Sequence, residues 1–182
     1  LKRRNDMIIL DIFKYFAAFV PKDALRRTFR APDGKQYRAL MDEVLSSGAD
    51  RVEDGITDFI FGTDADKLAT VITSVTGIYL FVEYDRVSST IDATSDRKDD
   101  RFHVAVTVAC PVPDVADLVG AAITQDRCLE ILSSIRRVMR NDDDLKRGIA
   151  WMDYPATLTV FSSKALAASQ GWSMEFDIYG ID

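Results

Sequence analysis

The chain has 182 residues, with 23 lysines and arginines against 29 aspartates and glutamates, which gives a net charge of −6. Hydrophobic residues make up 47% and charged residues 29% of it, a composition that is typical of globular proteins and excludes a disordered chain. A domain of this length buries enough apolar surface to fold without a disulfide or a structural metal. The acidic balance disfavours attraction to phosphate backbones. We therefore expect a single domain over residues 1–182.

The most apolar stretch near the start is Met7–Val20, which Asp11 and Lys14 interrupt. It is too short to cross a bilayer, and it lacks the small-residue cleavage site of a signal peptide. The two cysteines, Cys110 and Cys128, do not have the spacing of a zinc site. We expect buried free thiols, with a disulfide as the alternative. These features predict a cytoplasmic protein without membrane contact.

A first helix is predicted from Asp6 to Phe19, because apolar residues recur there at helical spacing and Pro21 ends the pattern. Its apolar face carries three aromatic side chains, Phe13, Phe16 and Phe19. This face has two interpretations. It packs on the core of its own chain, or it is a candidate subunit interface that docks on a neighbouring copy.

A turn at residues 31–34 is followed by a short amphipathic helix over about 37–45. The apolar run Ile56–Phe61 is compatible with a short strand. A helix is then predicted from Thr63 to Gly77, because Thr63 is a suitable cap and the apolar residues that follow share one face. Its β-branched residues leave a strand as the alternative.

Ile78–Val87 and Arg101–Cys110 are predicted to be paired strands. In the second strand apolar residues such as Val104 and Val106 alternate with small or polar ones, as in a half-buried strand. The connection Ser88–Asp100 is long and highly charged, so we expect it to project into solvent or onto a partner.

A long helix is predicted from about Asp114 to Met139. Two strands, Thr157–Phe161 and Trp172–Tyr179, close the chain, and the last one alternates regularly between apolar and polar side chains. The core stripe expected for the helix consists of Leu118, Ala122, Leu129, Leu132, Ile135 and Met139.

This order of elements predicts an α+β fold. A hairpin, a long helix and two further strands favour a mainly antiparallel sheet of about four strands with helices packed on one face. Residues 1–55 are expected to form an N-terminal helical segment, and residues 56–182 the core of sheet and helix.

Catalytic chemistry has little support in the sequence. The only histidine, His103, is predicted on the outward face of a strand, where no partner for general base catalysis is evident. The chain contains neither a glycine-rich phosphate loop nor a Gly-x-Ser-x-Gly elbow. We therefore expect a protein that is not an enzyme, with no catalytic, cofactor-binding or metal-binding residues and no cofactor.

Two acidic clusters remain. Consecutive aspartates splay in different directions and do not match the spaced ligands of a calcium loop, so solvated turns are expected at both places. The first cluster is Asp142, Asp143 and Asp144, and the second is Asp96, Asp99 and Asp100.

The second half of the chain resembles the phage tail-terminator or tail-completion proteins, which join head and tail. In that family a β-hairpin leads into a long helix and two strands close the sheet. The resemblance covers about residues 56–182, and residues 21–55 have no counterpart. The stretches that carry it are Gly77–Glu83, Phe102–Val108, Arg127–Leu132 and Gly171–Phe176.

The resemblance implies a structural subunit of a phage tail or tail-like particle that forms a ring, often a hexamer, at the neck end of the tail. Its partners would be further copies of itself, neighbouring tail or neck proteins, and DNA that passes without specific binding. It would be cytoplasmic during assembly and part of the virion or particle afterwards. No catalytic residue is carried over from the family.

In a ring around DNA, acidic loops that face inward would repel phosphates. The two aspartate clusters are therefore candidate channel or partner loops. Three alternatives stay open: an intracellular protein-binding adaptor module, another tail tube or baseplate component, and a small enzyme with an unrecognised acid pair.

Overall fold

The computed structural model describes residues 8–30, 34–48, 50–63, 65–91, 98–112, 114, 116–142, 157–164 and 166–179. The helices are α1 (Ile8–Ala17), α2 (Lys22–Thr28), α3 (Lys35–Ser46), α4 (Ala65–Ile72) and α5 (Leu118–Asn141). The strands are β1 (Ile56–Phe61), β2 (Ile78–Ile91), β3 (Lys98–Pro111), β4 (Thr159–Ser163) and β5 (Ser169–Tyr179). Three helices come first, and five strands and two further helices follow in the order β1, α4, β2, β3, α5, β4 and β5.

The strands form one mixed sheet in the order β1-β2-β3-β5-β4. β1 runs parallel to β2, and the other neighbouring strands are antiparallel. The α+β class is confirmed, whereas the prediction of about four strands in a mainly antiparallel sheet misses the parallel strand β1. α4 connects β1 to β2, and a crossover of this kind brings the chain back to the same end of the sheet, which makes the two strands parallel.

The predicted hairpin of β2 and β3 is confirmed, but it is longer than expected. The pairing continues to Ile91 opposite Lys98, so most of the expected charged connection lies within the sheet. Residues 92–97 lie outside the described residues. The prediction was wrong here because backbone pairing can extend a two-stranded ribbon beyond the apolar core, where a hydrophobic pattern gives no signal.

One face of the sheet, which we call the covered face, carries the main core. The alternation predicted for β3 and β5 is confirmed: Val104, Val106, Met174 and Phe176 all point to this face and are buried. α5 packs on β3 and β5, and α2 packs on β1. Buried residues of α1, α2, α3 and α5 join the same cluster, so the N-terminal helices share one core with the sheet.

The opposite face, which we call the outer face, is covered in part by α4. Ile72 and the following Val75 pack against Ile60, Tyr79 and Phe81 in a second, smaller apolar cluster. The prediction that helices pack on one face therefore holds for four helices and fails for α4. A crossover between adjacent parallel strands has to pass over one face of the sheet, and here it passes over the outer one.

The N-terminal helices differ from the prediction in detail. α1 ends at Ala17, and Asp6 lies outside the described residues. α2, which begins directly after Pro21, was not predicted, although a proline is favourable at a helix start. The helix predicted over about 37–45 is confirmed as α3, and the helical interpretation of the segment after Thr63 is confirmed as α4.

The end of the chain shows smaller differences. α5 begins after Asp117, whose Oδ1 accepts a hydrogen bond of 2.9 Å from the backbone N–H of Gly120, and not near Asp114. β4 lies two residues later than predicted, and β5 starts earlier, at Ser169. The core stripe of α5 is wrong in its first half, because the helix leaves the sheet there: Leu118 and Ala122 are exposed. The residues that are buried are Ala121, Cys128, Ile131, Leu132, Ile135 and Met139.

Both cysteines are free thiols, as the sequence predicts. Burial raises the pKa of the Cys110 thiol and raises that of Cys128 to about 12. A thiol that stays protonated is a poor nucleophile and a poor metal ligand, so both side chains act as core residues.

Candidate functional site

The first edge of the sheet, β1, is enclosed by side chains from α2. The backbone N–H of Gly62 donates to the carbonyl of Val82 at 3.2 Å. Every second residue of a paired strand bonds to its neighbour, so Thr57, Phe59 and Phe61 point their N–H and C=O groups away from β2. Two of the carbonyls on that outer side are bound: Arg27 donates to the carbonyl of Thr57, and Thr28 donates to that of Phe59 at 3.0 Å. Side-chain donors on an edge strand limit uncontrolled pairing.

Beside this edge lies a groove of about 840 Å³ between α2 and the segment that ends α4, which we call the β1 groove. Its floor is β1 and its rim carries two arginines, Arg27 and Arg30. The Arg27 Nε lies 3.5 Å from Asp58 Oδ1. Thr76 and Ser74 form the opposite wall. The groove therefore combines a strand edge with two arginines, one of which is paired with Asp58.

The second edge, β4, lacks this protection. Its five residues, Thr159–Ser163, include no charge and no proline, the devices that usually keep an edge strand from pairing with other chains. In the described part of the chain β4 pairs with β5 alone. Val160 is 58% exposed. The open edge is thus neutral and partly apolar.

The first turns of α5 add a second apolar surface near this edge. Leu118, Val119 and Ile123 are 77%, 70% and 67% exposed. The helix reaches the sheet where Gln125 Nε2 donates to Gln170 Oε1 at 2.8 Å, and Gln170 pairs with a residue of β4. We call β4 together with Leu118, Val119 and Ile123 the β4 surface.

Carboxylates flank the helical part of the β4 surface. Asp114, Asp117 and Asp126 are all exposed, and they lie before, at and within the start of α5. Basic residues lie there as well, because Arg127 on α5 and Lys164 directly after β4 are exposed. The β1 groove carries two arginines and one carboxylate, that of Asp58.

A polar cluster occupies the outer face of the central strands. His103 Nδ1 lies 2.9 Å from Asp177 Oδ1, and its Nε2 lies 3.8 Å from Glu175 Oε2. Burial, followed by the charges of Asp85 and Glu175, raises the pKa of Glu83 above its ordinary value. Sequence reasoning missed the partners of His103, because only the register of β3 and β5 brings Asp177 opposite it.

The pair of His103 and Asp177 is one of the components that a catalytic site needs. A carboxylate that orients an imidazole is one part of a general base, but a nucleophile or a substrate cavity is also needed. The hydroxyls of Thr107 and Ser173, on the same two strands, are buried and hydrogen-bond to each other at 2.9 Å. Neither His103 nor its partners line the β1 groove.

Among the residues that the structure describes, no group of three or more histidine, cysteine, aspartate or glutamate side chains is arranged to hold a metal ion. In the same residues no helix combines the length and the apolar character that crossing a membrane requires.

The three aromatic residues proposed as a subunit interface lie inside the molecule. Phe13, Phe16 and Phe19 are buried in the main core. The Phe13 ring packs edge-on against Phe61, with centroids 5.2 Å apart, and the Phe16 ring lies 6.3 Å from that of Phe176. The alternative of a helix docked on its own core explains these contacts, and the interface interpretation is corrected, because the rings expose no surface to a neighbour.

Of the six aspartates in the two acidic clusters, the structure describes Asp99, Asp100 and Asp142. Asp142 is buried and pairs with Arg51 at 2.5 Å. It therefore belongs to an ion pair inside the fold and does not line a channel. Asp99 and Asp100 lie in β3, paired with β2, and so they do not belong to a projecting loop. Asp96, Asp143 and Asp144 lie outside the described residues.

No protein-family model matches the chain, and no curated protein matches it. A function therefore has to be inferred from the two edges of the sheet. Neither edge was identified as a site from the sequence, although one signal was present: the run Thr159–Ser163 has strand character and no charge, which is unusual for an edge.

Proposed function

We propose that this protein is a non-enzymatic structural subunit of a phage tail or tail-like particle. In this proposal it forms a ring at the neck end of the tail, as a tail-terminator or tail-completion protein. Its partners are further copies of itself and the neighbouring tail or neck proteins, and DNA passes without specific binding. It is cytoplasmic during assembly and belongs to the virion or particle afterwards.

The observation that carries the assembly part of this proposal is the β4 surface. An open strand edge offers unpaired backbone groups to another chain, and exposed large apolar side chains are typical of protein–protein contacts. Here both occur on one side of the molecule, since Val160 on the edge and Leu118 on α5 are each more than half exposed. Solvent exposure of such a surface is unfavourable, so a partner is expected to cover it.

The position in a tail rests on the resemblance of residues 56–182 to tail-terminator and tail-completion proteins. The net charge of −6 fits a subunit that DNA passes without adhering to it. The sequence contains neither a glycine-rich phosphate loop nor a Gly-x-Ser-x-Gly elbow, which agrees with a role in assembly.

The first test is the mass of the purified protein by light scattering on a sizing column, over a range of concentrations, with negative-stain images of the same fractions. We expect a closed ring with a central hole. A strict monomer at every concentration would overturn the ring and favour the adaptor-module interpretation.

A matched pair of variants connects the ring to the β4 surface. Val160 on β4 and Val87 on β2 are 58% and 56% exposed, so replacing either by aspartate should leave the fold intact. Val160→Asp is expected to abolish assembly, because it places a charge at the open edge, while Val87→Asp should assemble like the wild type. Assembly of both variants would exclude the β4 surface as the contact.

A further inference from the structure

The two edges of the sheet complement each other in shape. β4 has five residues and β1 has six, which corresponds to about 17 Å and 20 Å at roughly 3.3–3.4 Å per residue. β1 lies on the floor of a groove of about 840 Å³, whereas β4 pairs on one side only in the described residues. In strand addition, an extended strand of one chain pairs with the edge strand of another. β4 could supply the added strand, and β1 in its groove could supply the edge.

The backbone of β1 is oriented for such an extension. Because Gly62 donates its N–H to β2, the backbone groups of Thr57, Phe59 and Phe61 point away from β2. The donors that bind two of their carbonyls, Arg27 and Thr28, are side chains at the end of a short helix. Side-chain donors can rotate away, and an incoming strand can replace their hydrogen bonds.

The charges of the two edges also fit. The rim of the β1 groove carries Arg27 and Arg30, and the start of α5 beside β4 carries exposed carboxylates, among them Asp117 and Asp126. Two copies with a net charge of −6 repel each other at long range, so contact between copies requires local attraction. A contact between Arg30 on the groove and a carboxylate at the start of α5 would supply such attraction.

We propose that β4 of one subunit adds to β1 of the next subunit and lies in its β1 groove. This inference rests on the proposed ring and names the contact that builds it. Since β1 and β4 are the opposite edges of one sheet, the contact is head-to-tail, and each subunit uses both edges. A head-to-tail contact of this kind closes into a ring when the rotation between subunits allows it.

The rival arrangement is a two-fold contact in which β4 pairs with β4 of the second copy. That contact stops at a dimer and leaves the β1 groove empty. The two arrangements differ in which variants still associate, and this difference can be measured without knowing the rest of the particle.

The test uses one variant for each edge. Val160→Asp blocks pairing by β4. Thr76→Trp fills the β1 groove from an exposed position on its wall. Each variant alone is expected to be a monomer by light scattering. An equimolar mixture is expected to form dimers and nothing larger, because one intact β4 meets one intact groove and both remaining edges are blocked.

Thr73→Trp is the matched control, since Thr73 is exposed in the same segment but does not line the groove; it should assemble like the wild type. Circular dichroism and thermal unfolding of each variant check the fold. Should Thr76→Trp fail to fold, Arg30→Glu replaces it, with an expected loss of about tenfold in association affinity from one reversed rim charge.

The outcomes separate the two proposals. Dimers of Thr76→Trp alone, or rings formed by it, would overturn the head-to-tail contact while the ring of the wild-type protein stays in place. A wild-type protein that is always monomeric would overturn the ring itself. Mixed dimers that form only when one intact edge of each kind is present would support the contact.

Discussion

The covered face and the outer face of the sheet are built by the same strands. Neighbouring residues of one strand therefore lie in very different surroundings, one in the apolar core and the next among polar side chains. Val106 lies between Val82 and Met174 on the covered face, and all three are buried. The preceding residue, Ala105, lies between Glu83 and Glu175 on the outer face. The comparison shows that strand register alone decides which side chains have to be apolar.

The outer face is itself divided. Near the start of β2 it is apolar, and burial raises the pKa of the Tyr79 hydroxyl to about 12. Further along the same strand it carries Glu83, with His103 and Asp177 on the neighbouring strands. α4 covers the first part only, so the polar part is open to solvent or to a partner.

The largest expected effect comes from placing the same charge on the two faces. Val106→Lys should cost about 3–5 kcal/mol of unfolding free energy, because it leaves an unpaired charge in the core. Ala105→Lys should change the stability by about 0.5 kcal/mol or less, since acidic neighbours face it. Urea unfolding of both variants measures the difference. Equal losses would show that the assigned register of β3 is wrong.

The aromatic residues of α1 test whether this helix packs on the covered face of its own chain. Phe16→Ala should cost about 3–5 kcal/mol, the usual range for a phenylalanine removed from a core. Val87→Ala, at an exposed site on β2 outside the β4 surface, should stay within about 0.5 kcal/mol. Thermal unfolding reports the stability and a sizing column reports the mass. A changed mass with unchanged stability for Phe16→Ala would revive the subunit-interface interpretation.

A smaller effect is expected at Gly171, which lies on the outer face between Ala109 and Phe161. A Cβ at this position would lie 2.1 Å from the carbonyl oxygen of Val108 and 2.6 Å from the Cα of Ala109. Gly171→Ala should therefore destabilise the protein by about 1–3 kcal/mol. Gly48→Ala is the control, because its Cβ would meet no atom closer than 3.6 Å. A neutral Gly171→Ala would mean that the strands can separate at no cost.

The smallest effect concerns pH. Burial first, and then the charges of Asp85 and Glu175, raise the pKa of Glu83 in the folded protein. Its contribution to stability is therefore greatest at low pH and is lost as the pH rises through the folded-state pKa. Glu83→Gln should be more stable than the wild type at pH 7 by about 0.5 kcal/mol or less, because solvent screens this partly exposed site.

The gain from Glu83→Gln should disappear below the ordinary pKa of a glutamate, where the wild-type side chain is also neutral. Chemical unfolding at several pH values measures it. Asp126→Asn removes the same charge from an exposed site on α5 and should show no such gain. A gain that grows as the pH falls would have the wrong sign for this explanation.

The sequence by itself determined the parts that repeat locally. The alternation in β3 and β5 predicts which of their residues face the main core, and the helical spacing in α5 predicts a long helix. The C-terminal half of the α5 core stripe, with Leu132, Ile135 and Met139, is confirmed. Period two and period 3.6 are properties of short segments, so a single segment is enough to detect them.

Only the tertiary structure decided what covers each face and each edge. Whether Phe16 packs inside or on a neighbour, whether Leu118 is covered, and whether Asp142 meets Arg51 all depend on segments that are distant in sequence. The contact of His103 with Asp177 and the contrast between the two edges have the same origin. A local pattern states which side chains share a face, but the surface that meets this face is set by packing between distant elements, for which a single sequence carries no periodic signal.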